Sequence, residues 1–451
     1  MILRDYQQRS IDEARAAFAS GKRRVLIVTP TGGGKTVIAS EMIRLAVTRG
    51  KRVLFLAHRE ELIKQSVAKL AACGVTDVRV IRAGAELGDP VAPIVVASIP
   101  TLCRPRWLVN MPPADLVVFD EAHHVTADTW SAIANCYARA HILGMTATPK
   151  RADGAPLGDV FDAMVIGPSV RELTALGHLV PCRVFGPAVA IGSKKIAMTP
   201  ADAFALHGRG RRAIVFCQTV DHARRTTVDM AVRGFRADVI SGDSTAAHRA
   251  DVLARFASGA VEVVCNVHVL TEGFDDPGAS LCILARSPGH IGTYIQMVGR
   301  VLRPAPGKVD AVLVDLCGSA HVHGLPDDER TYSLEGEGIA GAARDAISQC
   351  VQCGAVFAAR PGGCPECGYK APSKAEDPTV IGGTVTEITR VVVPMPRVRM
   401  KAKYAGFCAS CAKWISVGSD VRWAKGEKPI HEACAAGGEY AQARQMIAGM
   451  L

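Results

Sequence analysis

Four groups of residues carry chemistry by type and spacing. Thr29-Pro-Thr31-Gly32-Gly33-Gly34-Lys35-Thr36 is a Gly-rich loop ending in Lys-Thr. Glycines let the backbone curl so that several N–H groups face one anion, and a helix starting behind the loop adds its positive end. Lys35 can then reach the β- and γ-phosphates of a nucleoside triphosphate, and the Thr36 hydroxyl can ligand Mg²⁺. The bland alternative is a glycine turn that happens to precede Lys-Thr. Asp120-Glu121-Ala-His123 follows the apolar run Leu116–Phe119. One carboxylate there can hold the metal (Asp120) while its neighbour orients or deprotonates water (Glu121). An acidic helix cap is the competing reading. Gln296, Arg300 and Arg303 stand at spacings of four and three, one face of a helix. Such a face is either solvated or supplies positive charge to a loose phosphoryl-transfer transition state.

The fourth group is sulfur. Of the 15 cysteines, those from Cys73 to Cys317 are scattered, mostly through apolar runs, as small core residues are. The rest come as hooks. Cys350-x-x-Cys353 with Cys364-x-x-Cys367 offers four thiolates, a tetrahedral Zn²⁺ set, with an iron–sulfur cluster or free thiols as rivals. Cys408-x-x-Cys411 with His431-x-x-Cys434 offers a Cys₃His set.

These residues need elements to hold them. From residue 21 to about 165, Arg24–Thr29, Arg52–Ala57, Val78–Ile81, Pro93–Ser98, Asp115–Asp120 and His141–Met145 are continuous Val/Ile/Leu-rich runs, with helical patterns such as Thr36–Val47 and Glu60–Ala71 between them. That rhythm predicts a parallel sheet covered on both faces. It returns from about 211 in Ala213–Cys217, Ala237–Ile240, Val261–Cys265, Leu281–Ala285 and Val309–Asp315. Two α/β units in tandem are expected, joined within Lys150–Gly192, where Arg171–His178 predicts a short helix. The phosphate loop and the Asp-Glu pair fall at strand ends of the first unit, where ligands gather in such sheets. After Leu316 the pattern stops, and Gly318–Gly341 reads as a linker or exposed excursion.

Composition narrows the class. The chain has 451 residues, 49% hydrophobic and 21% charged, enough to bury more than one core. Lys+Arg 53 against Asp+Glu 43 leaves +10, which permits a polyanionic partner. No apolar run approaches the ~18 residues of a membrane helix. No signal-like apolar segment follows the start, so a cytoplasmic protein with reduced thiols and no membrane association is expected.

The ordered set of motifs resembles helicases and translocases of superfamily 2, DEAH-box type. The matching stretches are Leu3-Arg-Asp-Tyr-Gln7, Thr29–Thr36, Leu56-Ala-His-Arg-Glu60 with Gln65, Val96-Ala-Ser98-Ile-Pro-Thr101, Asp120–His123, Thr146-Ala-Thr148, Ile214–Thr219, Thr271-Glu-Gly273-Phe-Asp275 and Gln296–Arg303. Within that group the chain is most similar to RadD-like bacterial repair helicases and their phage relatives, which also carry cysteine clusters after the motor.

The resemblance implies two RecA-like domains and assigns roles. Gln7 would read the adenine edge, and Thr31, Gly32, Gly33, Gly34, Lys35 and Thr36 would hold the phosphates of ATP. Gly273 and Asp275 would face the nucleotide from the second domain. Arg300 and Arg303 would complete the site with Gln296, Arg303 as the arginine finger. Thr146 and Thr148 would couple hydrolysis to domain motion. Ser98, Thr101, Thr219 and Thr271 would touch the nucleic-acid backbone, with DNA favoured over RNA by the opening motif.

The expected fold class is therefore α/β: tandem RecA-like parallel-sheet domains at 1–165 and 166–317, a linker at 318–346, a Cys₄ zinc knuckle at 347–371, a second linker at 372–399 and a Cys₃His zinc module at 400–451. From Arg390 to Gly426, Arg390, Arg397, Arg399, Lys401, Lys403, Lys413, Arg422 and Lys425 stand against a single acid, Asp420, with Tyr404, Phe407, Trp414 and Trp423 interleaved. Basic residues grip phosphates and aromatics stack on bases; the same pattern also suits a small core with a basic exterior, or a surface for a single-strand-binding protein. The expected function is an ATP- and Mg²⁺-dependent DNA helicase or translocase of repair, recombination or replication with two Zn²⁺. A DNA-stimulated ATPase that remodels branched DNA or protein–DNA complexes is a rival reading, as is a recruitment module with weak ATPase.

Overall fold

The structure, a computed structural model, describes residues 3–57, 60–82, 85–104, 107, 109–124, 132–133, 135–149, 157–192, 194–271, 273–335, 347–349, 356–358, 377–389, 398–402, 406–408, 413–423, 430–432 and 434. The chain divides into two compact units, residues 1–388 and 389–451. Within the first unit each run of buried β-branched residues has become a strand. The first sheet contains β1 (Arg24–Val28), β2 (Val53–Ala57), β3 (Val78–Arg82), β4 (Ala85–Leu87), β5 (Ile94–Ser98), β6 (Leu116–Phe119), β7 (His141–Thr146) and β8 (Ala163–Ile166), in the order β4-β3-β5-β2-β6-β7-β1-β8. All neighbours are parallel except β3 and β4.

The second sheet is built from β9 (Cys182–Gly186), β11 (Arg212–Cys217), β12 (Ala237–Ile240), β13 (Val263–Asn266), β14 (Ala279–Ala285) and β15 (Ala311–Asp315), with β10 (Lys195–Ile196) beside it. Its order is β12-β13-β11-β14-β15-β9, parallel throughout, before one added antiparallel edge strand. Both sheets are apolar on both faces. In the first, Leu26, Leu54 and Val117 face one core while Ile27, Phe55 and Val118 face the other. In the second, Ile214, Cys282 and Leu313 face one core while Val215, Ile283 and Val314 face the other. Each such side chain contributes about 1.5–3 kcal/mol when fully buried.

The helices are α1 (Asp5–Ala19), α2 (Lys35–Val47), α3 (Glu60–Ala72), the single turn α4 (Ile99–Leu102), α5 (Val170–Ala175), α6 (Pro200–His207), α7 (Val220–Val232), α8 (Ala246–Ala257), α9 (Ile291–Gly299) and α10 (Ser319–His323), of which α2, α3, α5 and α9 overlap the stretches whose pattern predicted a helix. Ser169, Thr199, Thr219 and Thr245 start α5, α6, α7 and α8 by accepting the N3 amide on their hydroxyls. Such caps contribute about 1 kcal/mol each.

Two expectations need correcting. The stretch after Leu316 is not simply an exposed excursion. α10 packs on the second sheet's core through Ala320, and Tyr332 and Leu334 then pack on the first sheet's core, with Gly158 N–H donating to the Leu334 carbonyl at 2.7 Å. An apolar residue pair in an otherwise polar, Gly-rich stretch was enough to tie it down. Nor is 372–399 a free linker over its described part. Earlier in the chain β16 (Ile347–Gln349) pairs antiparallel with β17 (Val356–Ala358). Within 372–399, β18 (Thr379–Val380) pairs with β10, and β19 (Thr386–Glu387) adds to β9, while Val385 and Ile388 pack on the second lobe.

The second unit has a small three-stranded sheet of β20 (Val398–Lys401), β23 (Asp420–Trp423) and β24 (Ile430–His431), and a pairing of β21 (Gly406–Phe407) with β22 (Trp414–Ile415). Its buried centre is Ala402, Cys408, Ile415 and Val421. The Cys350, Cys353, Cys364 and Cys367 cluster and Cys411 lie outside the described residues. Among the described residues no helix is long and apolar enough to cross a membrane.

Candidate nucleotide site between the two lobes

Strand register assembles the site. β1 pairs with β7 so that Val28 lies opposite Thr146, and the Thr29 N–H donates to the Thr146 carbonyl at 2.9 Å. β6 ends beside them, and the Asp120 N–H donates to Leu56 O on β2. The Gly-rich loop, the Asp-Glu pair and the Thr146-x-Thr148 turn thus meet at the carboxyl edge of the first sheet.

The loop's glycines are needed for conformation and for room. Gly34 caps α2 in the left-handed region (φ 87°), and a Cβ there would lie 2.3 Å from the Gln7 carboxamide nitrogen. Gly32 (φ 88°) lets Leu179 and Arg303 approach, since a Cβ would meet them at 2.8 and 3.5 Å. Behind the loop is a cavity of about 390 Å³ lined by Lys35, Thr36, Asp120, Glu121, Asp275 and Arg303 among others. Thr31, Gly32, Gly34, Gly273 and Arg300 line it too, whereas Gly33 packs on Thr29.

Lys35 Nζ lies 2.8 Å from Glu121 Oε1, both largely buried. Glu121 is held at φ 48°, an unfavourable conformation for a side chain with a Cβ, as is common where function over-determines the backbone. Burial and the adjacent Glu121 push the Asp120 carboxyl up to about 6, against the opposing pull of Lys35. Thr36 and Asp120 offer the hard oxygen donors that Mg²⁺ takes beside a nucleotide. Gln7 is buried in the first turn of α1, where its Oε1 accepts from the Arg4 N–H at 3.0 Å and its amide faces Gly34.

The second lobe meets this edge through one face of α9. A Cβ on Gly292 would strike the Thr148 hydroxyl at 2.6 Å, and one on Gly299 would lie 2.6 Å from Thr31 Cβ. Between them Gln296 Nε2 lies 3.3 Å from His123 Nε2. His123 Nδ1 is 3.0 Å from Thr146 Oγ1, whose hydroxyl donates to Thr148 O at 2.7 Å. The face that touches the first lobe is therefore 292, 296 and 299, and Arg300 is not on it.

Arg300 lines the cavity and also holds its own lobe. The residue is 5% exposed, and its guanidinium donates to the carbonyls of Thr271 (3.0 and 2.7 Å) and Phe274 (2.7 Å). It pins the Thr271–Asp275 loop of its own lobe. Arg303 lies beside Gly32 and pairs with Asp275, which also faces Lys69 of the first lobe at 3.8 Å. Lys69, His123 and the two α9 glycines were missed as site residues in the sequence. The spacing of Gly292, Gln296 and Gly299 was the available signal.

The proposed strand contacts are dispersed. Ser98 is half-buried at the start of α4; Thr101 and Thr271 are buried; Thr219 hydrogen-bonds Asp377. In the second unit Cys408, His431 and Cys434 present their ligand atoms within 4.8 Å of one another.

Residues 1–151 match the type III restriction enzyme res subunit family, and residues 197–305 match the helicase conserved C-terminal domain. The chain belongs to the superfamily 2 helicases. Among relatives of this helicase chain, a 51.5 kDa protein of Lactococcus phage (isolate 7-9) is 28% identical over 76% of the chain and 77% of its own length. The putative mitochondrial ATP-dependent helicase irc3 of Schizosaccharomyces pombe is 28% identical over 70% of the chain but only 57% of its own length. The DNA 3'-5' translocase XPB2 of Sulfurisphaera tokodaii is 24% identical over 70% of the chain and 81% of its length. A putative HsdR subunit of a type I restriction enzyme from Vibrio vulnificus superposes with a TM-score of 0.59 at 25% identity, covering 72% of the chain and 66% of that protein. The tandem parallel sheets are those of the helicase fold.

Proposed function

We propose that the protein is an ATP-driven DNA helicase or translocase of DNA repair, recombination or replication, working in the cytoplasm of a bacterial or phage-infected cell. One observation carries this reading: the Gly-rich loop and Asp120-Glu121 of one lobe share a single cavity with Arg303 of the other. A cleft that needs both lobes to be complete converts nucleotide binding into lobe closure.

In this reading Thr31 to Thr36 cradle the phosphates. Lys35 leaves Glu121 for the β- and γ-phosphate oxygens, which frees Glu121 to take the proton of the attacking water as the bond to the β,γ-bridging oxygen breaks. Arg303 leaves Asp275 to meet the charge on the transferred group. Thr36 and Asp120 would hold Mg²⁺, which neutralises phosphate charge. Gln7 sits where an adenine edge could be read. Arg300 shapes the Thr271–Asp275 loop and acts through it. Ser98, Thr101, Thr219 and Thr271 form the backbone-contacting set, and phosphate contacts carry no sequence information, as a motor stepping along a strand requires.

The C-terminal region is proposed to hold two Zn²⁺. Support for the second site is local. The His431 N–H reaches Cys408 Sγ at 3.4 Å, and His431 Nε2 lies 3.2 Å from the Trp414 carbonyl, the outer contact that orients a ligating imidazole. Thiolates and an imidazole form a zinc donor set.

The test is ATP turnover against single-stranded, forked and junction DNA and RNA, with strand displacement measured on the same substrates. Stimulation by DNA with displacement is expected. Turnover unaffected by any nucleic acid would sink the motor reading, and stimulation without displacement would reduce it to remodelling.

A further inference from the structure

Thr219 differs from the other capping threonines. Thr199 gives its hydroxyl to Asp202 of its own helix, three residues on. The Thr219 hydroxyl, while accepting from His222 N–H, donates to Asp377, far away in sequence. The other carboxylate oxygen of Asp377 pairs with Arg225 on the same helix, α7. Backbone pairing delivers Asp377 there, with Val385, Ile388 and the Arg183–Glu387 ion pair holding the strap further on. Thr379 N–H donates to Lys194 O at 2.9 Å, Ile381 N–H to Ile196 O at 3.0 Å and Gly383 N–H to Ala197 O at 2.7 Å, so the strap is fastened immediately after the carboxylate.

A hydroxyl and a guanidinium converging on one anion are the donors that take the non-bridging oxygens of a phosphodiester. Thr219 is also the residue placed among the strand contacts above. Arg225 is 64% exposed and Asp377 27% exposed, so a strand can reach both. We propose that Thr219 and Arg225 form a phosphodiester-binding site for a single nucleic-acid strand and that Asp377 is its built-in competitor. This rests on the motor reading. The strand must displace the carboxylate, so nucleic acid engages the second lobe only when it can compete with the strap. A site filled in the free protein suppresses weak, non-specific capture of phosphate-rich molecules by a chain with a basic excess.

The experiment uses the full chain and a fluorescein-labelled oligothymidylate, with anisotropy read across a salt series for the wild type, Asp377→Asn, Arg225→Ala and the double variant. Asp377→Asn should tighten binding by about threefold to tenfold and steepen the salt dependence by about one unit, because Arg225 no longer exchanges one anion for another. Arg225→Ala should weaken binding, and the double variant should lose the gain of Asp377→Asn. Thermal melting of each variant accompanies the titration, and Arg225→Ala stands as the readout if Asp377→Asn does not fold. Unchanged or weaker binding by folded Asp377→Asn, unchanged binding by Arg225→Ala, or an equal gain in the double variant overturns the proposal. A wild type that binds and is stimulated while Asp377→Asn matches it overturns this inference alone; a wild type that binds no nucleic acid overturns the motor reading with it.

Discussion

Gln296 of the second lobe and His123 of the first face each other across the cleft, Nε2 to Nε2, at 3.3 Å. An amide nitrogen can only donate, so the imidazole Nε2 accepts, which puts the ring proton on Nδ1, where it is donated to the Thr146 hydroxyl. Thr146 in turn donates to the Thr148 carbonyl. Four polar groups, each with a defined direction, therefore run from the far lobe to the turn behind the phosphate loop. Glu121 lies at the same imidazole, its Oε2 3.5 Å from Nδ1. Breaking the link should uncouple the lobes without emptying the site. Gln296→Ala is expected to lower DNA-stimulated turnover about tenfold, the loss of roughly one to two hydrogen bonds in the closed form, with a smaller change in KM for ATP. Steady-state kinetics with and without DNA decide it; equal loss in both conditions would show a local effect on the site instead.

Lys35 donates to Glu121 at 2.8 Å. Removing the cation leaves Glu121 without its 2.8 Å partner and the phosphates without their principal charge. Lys35→Ala should abolish turnover, a loss of about 10³-fold or more, while DNA binding is partly kept. Normal ATP hydrolysis by this variant would move the active site elsewhere.

The two arginines of the same helix end separate by experiment. Both line the cavity, but Arg303 is held by an acid, whereas Arg300 is buried and holds two carbonyls of its own lobe. Arg303→Ala should reduce kcat with little change in melting temperature. Arg300→Ala should lower stability by about 2–4 kcal/mol, because buried carbonyl oxygens lose a charged donor. Thermal melting of the pair, read beside turnover, checks this, and equal melting temperatures would contradict the buckle role.

That pair shows what sequence could and could not carry. Gln296, Arg300 and Arg303 share a spacing that predicts one helix face, but α9 ends at Gly299, with Arg300 as its cap and Arg303 beyond it, and spacing does not say which neighbour the face meets. Only the packing of Gly292 on Thr148 and Gly299 on Thr31 reveals it. The central strands were legible because both sheet faces are buried, which forces continuous apolar runs. β8 and β9 were not, because they are partly exposed and sit in a region rich in Gly and Pro. The 377–388 strap was illegible for a different reason: strand addition uses N–H and C=O groups that every residue has. The nucleotide residues stood out because a phosphate cradle and a strand-end carboxylate pair each demand particular residue types. Lys69, an ordinary lysine on an amphipathic helix, did not.

His222 sets a pH dependence for the second lobe. Its ring is buried at the start of α7, its Nδ1 accepts from the Gln218 N–H at 3.3 Å, and burial with Arg225 nearby depresses it from 6.5 to about 4. The folded state thus binds its proton less readily than the unfolded state. Stability from this group is complete above pH 6.5 and is lost as pH falls from 6.5 toward about 4. Melting temperature should decline through that window more steeply in the wild type than in His222→Gln. Parallel pH curves for the two proteins would remove His222 from the account.

The zinc proposal predicts a stoichiometry and a local consequence. Cys408 is 2% exposed at the centre of the second unit, packed among the described residues with Ala402, Ile415 and Val421. Small domains of this kind commonly draw folding free energy from a bound metal. Metal analysis of the purified chain should give about two Zn²⁺, and a chelator should expose residues 398–434 to protease while the nucleotide site keeps its ATP turnover. Cys408→Ser should remove about one Zn²⁺ and produce the same protease pattern without a chelator. A metal-free chain whose C-terminal unit resists protease as well as the untreated protein would show that Cys408, His431 and Cys434 meet only as packed side chains.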